Sequence, residues 1–97
     1  MNDEDLMREG LGALVDDTAR HMELLEVAIR EGNSQKCIRL AHYSKGACAN
    51  MGVNRAAGVF KQIEKNAAEG QFHECSQSLD GLARELELLR LAALALQ

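Results

Sequence analysis

The chain has 97 residues, which fits one domain spanning 1–97 with a single modest core, since a chain this short buries roughly 60–65% of its unfolded surface. Hydrophobic residues make up 46% and charged residues 27%, as in ordinary globular proteins, and the formal net charge is −4. With basic residues scattered along the sequence and only Tyr43, Phe60 and Phe72 as aromatics, neither the basic face nor the stacking platform that nucleic acid requires is visible.

Proline is absent, and Ala, Leu and Glu are abundant, a composition that favours long uninterrupted helices. Residues 3–31 form the first helical segment. Leu11, Val15, Thr18, Met22, Leu25 and Ile29 alternate spacings of four and three, one helical face that Leu14 and Ala28 widen. Asp3, Glu4 and Asp5 suit the positive end of the helix dipole. Gly10 and Gly12 allow a kink there, or a short extra helix at the N-terminus. Gly32-Asn33 ends the segment. Ser34 is suited to cap a second helix running to about Met51, and Gly52 stops it. Asn54 is suited to cap a third helix, running to about Glu69 with Ala56, Val59, Phe60, Ile63 and Ala67 as its core face. The fourth begins near Phe72 and carries the most regular seam: Phe72, Cys75, Leu79, Leu82, Leu86, Leu89, Ala93 and Leu96. Beyond Leu88 it is apolar nearly all round, which suits packing on the first helix, a dimer surface or a continuation of the chain.

Connections of two to four residues force consecutive helices to run antiparallel. The expected fold is therefore all-α, an up-down-up-down four-helix bundle. No apolar run reaches the roughly 20 residues of a membrane span. The acidic start, Met-Asn-Asp-Glu-Asp, lacks a signal-peptide pattern, so a cytoplasmic protein is expected. Cys37, Cys48 and Cys75 contain no C-x-x-C spacing and read as buried thiols in a reducing compartment.

The second helix holds the chemistry. Advancing each residue by about 100° puts Cys37, Leu40, Ala41, Ser44, Ala47, Cys48 and Met51 on one, core-facing side. His42 falls opposite, with Gln35, Ile38, Arg39, Gly46 and Ala49 around it and Lys45 at the edge. Gly46 costs roughly 1 kcal/mol against Ala inside a helix, so its presence one turn beyond an exposed imidazole suggests that something approaches closely there. His21 and His73 have no such surroundings and read as ordinary surface residues. Metal binding needs converging ligands, and neither H-E-x-x-H nor H-x-x-x-H occurs, so no metal is expected. Ser44 and Cys48 point inward and are poor nucleophiles. The remaining nucleophile is the imidazole itself, which can take a phosphoryl group from an acyl phosphate. Such transfer depends on in-line positioning and charge neutralisation. Lys45 is placed to meet phosphoryl oxygens, Arg39 can assist, and Glu64 or Gln62 on the third helix can hold the other ring nitrogen.

The run Ala41-His42-Tyr43-Ser44-Lys45-Gly46, followed six residues later by Gly52, resembles the signature of histidine-containing phosphotransfer (HPt) domains, A-H-x-x-K-G with a helix-ending glycine. Leu24-Leu25 to Gly32-Asn33 is similar to the preceding helix and turn of that family, and Phe60 to Glu64 to its following helix, with Ile63-Glu64 in place of Leu-Glu. Tyr43-Ser44 replaces the commoner Thr/Ser-Leu pair, and Gly58 stands where a larger helix former is usual. The resemblance covers roughly residues 12–90. It implies a two-component phosphorelay, in which His42 accepts phosphate from an aspartyl phosphate on a response-regulator receiver domain or hybrid sensor kinase and passes it to another receiver. It also implies a monomer without its own cofactor, the Mg²⁺ residing on the receiver, and a docking footprint of Gln35, Ile38, Arg39, Gly46 and Ala49. Two rival readings are a non-catalytic adaptor on the same bundle and a helical oligomerisation module driven by the apolar C-terminal turns.

Overall fold

Each of the three helix connections repeats one local solution. A computed structural model describes residues 3–95, which form α1 (Asp3–Arg30), α2 (Ser34–Asn50), α3 (Asn54–Ala68) and α4 (Phe72–Ala95). Between them lie Glu31-Gly32-Asn33, Met51-Gly52-Val53 and Glu69-Gly70-Gln71. The central glycines have φ of 65°, 75° and 72°, the left-handed region that a Cβ disfavours. The residue after each glycine donates its N–H back into the helix just ended: Asn33 to Ala28 O at 2.9 Å, Val53 to Cys48 O at 2.9 Å, Gln71 to Asn66 O at 2.8 Å. This backbone closure satisfies the terminal carbonyls and turns the chain through a reversal in three residues.

With links that short, each helix returns beside its predecessor. α1 packs on α2 and α4, and α3 packs on α2 and α4, with no close diagonal approach of backbones among the described residues. The helices thus occupy the corners of a square, in a rod of 45 × 19 × 18 Å. Leu25, Cys37, Cys48, Phe60, Ile63, Cys75 and Leu82 are fully buried along its axis. The three thiols are part of this core and unpaired. Burial raises all of them, Cys75 to about 11, so they rest as inert thiols.

Several local expectations are corrected. α1 is one continuous helix through Gly10 and Gly12, not two pieces. A Cβ at Gly10 would meet the Met51 methyl at 2.9 Å, so this glycine makes room for the end of α2. Met51 itself lies on the surface, 41% exposed, rather than in the core, because it is the C-cap where α2 has already ended. Asn33, not Ser34, caps α2: its Oδ1 accepts from Lys36 N at 3.1 Å. Ser34 has a different task, donating from Oγ to Ala67 O at 2.6 Å and tying the start of α2 to the end of α3. Val53 occupies the N-cap of α3 without a side-chain bond, and Asn54 is already helical. Gly58 faces open space, so a larger helix former would fit there without a clash at Cβ.

α1 and α4, with 28 and 24 residues, outrun α2 and α3, with 17 and 15. At about 1.5 Å per residue the overhang is more than a dozen ångströms. It explains why, on the part of α4 that overhangs, Leu86 is buried and Leu89 and Ala93 half-buried while Leu88, Leu91 and Leu94 stay more than half exposed. Leu96, the last residue of the expected seam, lies outside the described residues.

Candidate functional site

His42 is the middle residue of α2, eight positions from either end, on the side turned away from the core. Its inward neighbours Cys37, Ala41, Ser44 and Cys48 are buried, which fixes the rotation of the helix and therefore the outward direction of the ring. The His42 side chain is 68% exposed. Gln35, Arg39, Gly46 and Ala49 share this exposed strip. Ile38 does not share it fully. It is half-buried and packs against the core, forming apolar floor beside Lys45 and Glu64 rather than free surface. A Cβ at Gly46 would meet nothing within 4 Å, so the turn beyond His42 is bare backbone open to the outside.

α3 supplies the partner of the ring. Phe60 and Ile63 are buried, and Glu64, one position on, is carried to the seam with α2. His42 Nδ1 lies 3.2 Å from Glu64 Oε1, and Lys45 Nζ donates to Glu64 Oε2 at 2.9 Å. The Lys45 bond, followed by that of His42, holds the Glu64 carboxyl below its ordinary range against an opposing push from burial. An ionised carboxylate only accepts, so Nδ1 carries the ring proton. Nε2 of the neutral ring is then left with its lone pair facing solvent. Of the two residues weighed for this contact, Glu64 makes it. Gln62 donates instead to Asn66 Oδ1 at 3.1 Å along its own helix. Lys45, expected to be placed to meet phosphoryl oxygens, is engaged by Glu64 here.

The depressed Glu64 pKa has a sign that can be tested. A carboxyl whose folded pKa lies below its unfolded value adds stability above the unfolded value, and that stability is lost as pH falls through the folded one. In a carbon-detected NMR titration the Glu64 midpoint falls below the ordinary 4.5. In Lys45→Met it rises, because the largest lowering influence is gone while burial persists. An unmoved midpoint would show that Lys45 does not hold the carboxylate in solution.

Two features escaped the sequence reading. His21 is half-buried, not a free surface residue: its ring stacks on Tyr43 with centroids 4.7 Å apart, and Nδ1 donates to Asp17 O at 2.7 Å. Tyr43 OH reaches Asp17 Oδ2 at 3.4 Å, so the residue after His42 is pinned to α1. The second is charge. The basic residues are not scattered once folded. Lys36, Arg39, Lys45, Arg55, Lys61 and Lys65 all lie on the adjacent α2 and α3, which carry Glu64 as their single acid. The other fourteen acids of the chain lie outside those two helices, against five basic residues.

The Hpt domain family model matches residues 9–92. The chain belongs to the Hpt domain family. This Hpt domain superposes on the crystal structure of histidine-containing phosphotransfer protein B (HptB) from Pseudomonas aeruginosa PAO1 with a TM-score of 0.85 and 27% sequence identity. That similarity covers 94% of this chain and 79% of the other. No curated protein matches the sequence. Family and fold together make the chain a histidine phosphotransfer protein of two-component phosphorelay signalling, built as the expected four-helix bundle. Among the described residues no helix is long and apolar enough to cross a membrane.

Proposed function

We propose that His42 is the residue of this Hpt domain that carries the phosphoryl group, taking it from an aspartyl phosphate on a receiver domain, alone or within a hybrid sensor kinase, and giving it to a second receiver. The observation that carries the reading is the solvent-facing His42 ring with Nδ1 held by Glu64. The Nε2 lone pair attacks phosphorus in line, the P–N bond forms, and the P–O bond to the aspartate breaks, returning a free carboxylate to the donor. The Nδ1 proton stays in place, so the phosphorylated ring becomes cationic and its charge is met by Glu64. Lys45 lies within the same cluster and turns from Glu64 to the phosphoryl oxygens. Mg²⁺ belongs to the receiver, and this chain acts as one domain, monomeric and cytoplasmic. The receiver lands on Gln35, Arg39, Gly46 and Ala49, with Ile38 beneath.

Incubation with a receiver domain carrying radiolabelled phosphate tests the reading. The label moves to this chain, is acid-labile and base-stable, and maps to the peptide containing His42. Label on any other peptide, or none, would refute it. The close-approach role of Gly46 gives a second test. Gly46→Gln raises stability by about 0.5–1 kcal/mol, since Gln is the better helix former and nothing crowds the site. It also slows transfer by about tenfold, through roughly 1.4 kcal/mol of lost docking. Thermal melts and transfer time courses read the two signs separately, and unchanged transfer would remove Gly46 from the footprint.

A further inference from the structure

The face of the bundle opposite His42 and Glu64 is the α1–α4 seam, and it is not smooth. A groove of roughly 320 Å³ runs along it, with Met22, Leu79 and Ala83 among its apolar lining and Glu23, Glu26 and Asp80 on its edges. It continues past Ser76 to Ile29 and Arg30. From Ala19 to Arg30 on α1 is eleven residues, or about 16 Å of helix, the length of three turns. Met22 and Leu79 are half-buried and Ala83 is exposed, so the small Ala83 leaves the trough open. Among the lining residues Arg30 is the one cation, at the far end, where it bonds Glu26 at 3.4 Å.

Length, an apolar floor and acidic edges together select an occupant. A helix of three turns with one apolar stripe fills the trough, as amphipathic helices fill grooves generally. Lys or Arg on both flanks of that stripe meets Glu23 and Glu26 on one bank and Asp80 on the other. Acidic helices and nucleic acid meet like charge here, because the acids of the chain are concentrated away from α2 and α3. We infer that the α1–α4 groove is a second docking surface, for a basic amphipathic helix of a partner protein. It lies across an 18–19 Å thick bundle from His42, so it can be filled while the phosphotransfer face stays free. The surface offers a phosphorelay protein a way to be held near a partner without masking its histidine.

The probe is a fluorescein-labelled 14-residue peptide with leucines along one helical stripe and lysines on its flanks, followed by anisotropy against the full chain. The wild type binds it, with affinity falling as salt rises, and does not bind the matching leucine–glutamate peptide. Ala83→Trp fills the trough without changing charge and weakens binding at least tenfold, while phosphoryl transfer to the domain is unchanged. Glu23→Gln with Asp80→Gln weakens binding severalfold and flattens the salt dependence. NMR shift changes centre on Met22, Ser76 and Leu79. Equal binding by wild type and Ala83→Trp would reduce the attraction to unspecific charge and overturn the groove. So would shifts centred on α2 and α3, or a concentration-dependent dimer that Ala83→Trp abolishes, which would assign the groove to a second copy of this chain.

Discussion

His42→Gln loses phosphoryl acceptance from a phosphorylated receiver domain, by about a thousandfold or more, and stays folded. Glutamine keeps a helix-compatible side chain of similar reach but offers no basic ring nitrogen, so the P–N bond has nothing to form on. The structural cost is small because the side chain is 68% exposed. One contact to Glu64 goes, but Lys45 still holds that carboxylate at 2.9 Å. Exposed pairs of this kind contribute about 0–1 kcal/mol, so the melting curve shifts by no more than about 4–8 °C. The check is a paired measurement: radiolabel transferred per mole, and thermal denaturation of the same preparation. Label persisting in the folded variant would place the acceptor elsewhere.

Phe60→Ala destabilises the domain by about 3–5 kcal/mol, the range for deleting a buried phenyl ring and leaving a cavity. Phe60 is the largest of the fully buried side chains and sits on α3, between the α2 and α4 contacts. A small domain holds only about 5–15 kcal/mol in total, so much of the margin disappears. The effect reaches the candidate site because Glu64 follows Phe60 by one helical turn on the same element. Urea denaturation followed by circular dichroism gives the magnitude. Phosphoryl transfer falls in step with the unfolded fraction, and additionally if the α3 turn bearing Glu64 loosens. A loss below about 1 kcal/mol would mean that the core closes over the missing ring.

What the sequence disclosed depended on how local the determining physics was. The helix ends were legible because Gly32, Gly52 and Gly70 sit where a left-handed residue is required, and that requirement is satisfied within six residues. The outward side of His42 was legible because Cys37, Ala41, Ser44 and Cys48 repeat at helical spacing opposite it. Glu64 could be narrowed only to a choice with Gln62, since two positions on one helix differ by 200° of rotation and the sequence does not give the α2–α3 register. The cap of α2 was misassigned because Asn33 and Ser34 are equally good cappers. What separates them is Ala67 O, thirty-three residues away, which draws the Ser34 hydroxyl. The stacking of His21 on Tyr43 was invisible for the same reason, being a contact between α1 and α2. So was the grouping of basic residues: the Lys36/Arg39 pair on α2 and the Lys61/Lys65 pair on α3 are separate in the chain and come to one half of the bundle when α2 and α3 lie side by side.

That grouping gives the rod a transverse electric dipole. A phosphorylated donor brings anionic charge, and its field turns the rod so that the histidine side leads before any atoms touch. The torque acts within the screening distance, about 8 Å at physiological ionic strength and about 30 Å at 0.01 M. Encounter rates with a phosphorylated receiver should therefore fall with added salt while the intrinsic transfer step within the complex does not. Reversing Lys61 and Lys65 to glutamate should shrink that salt dependence without touching the imidazole.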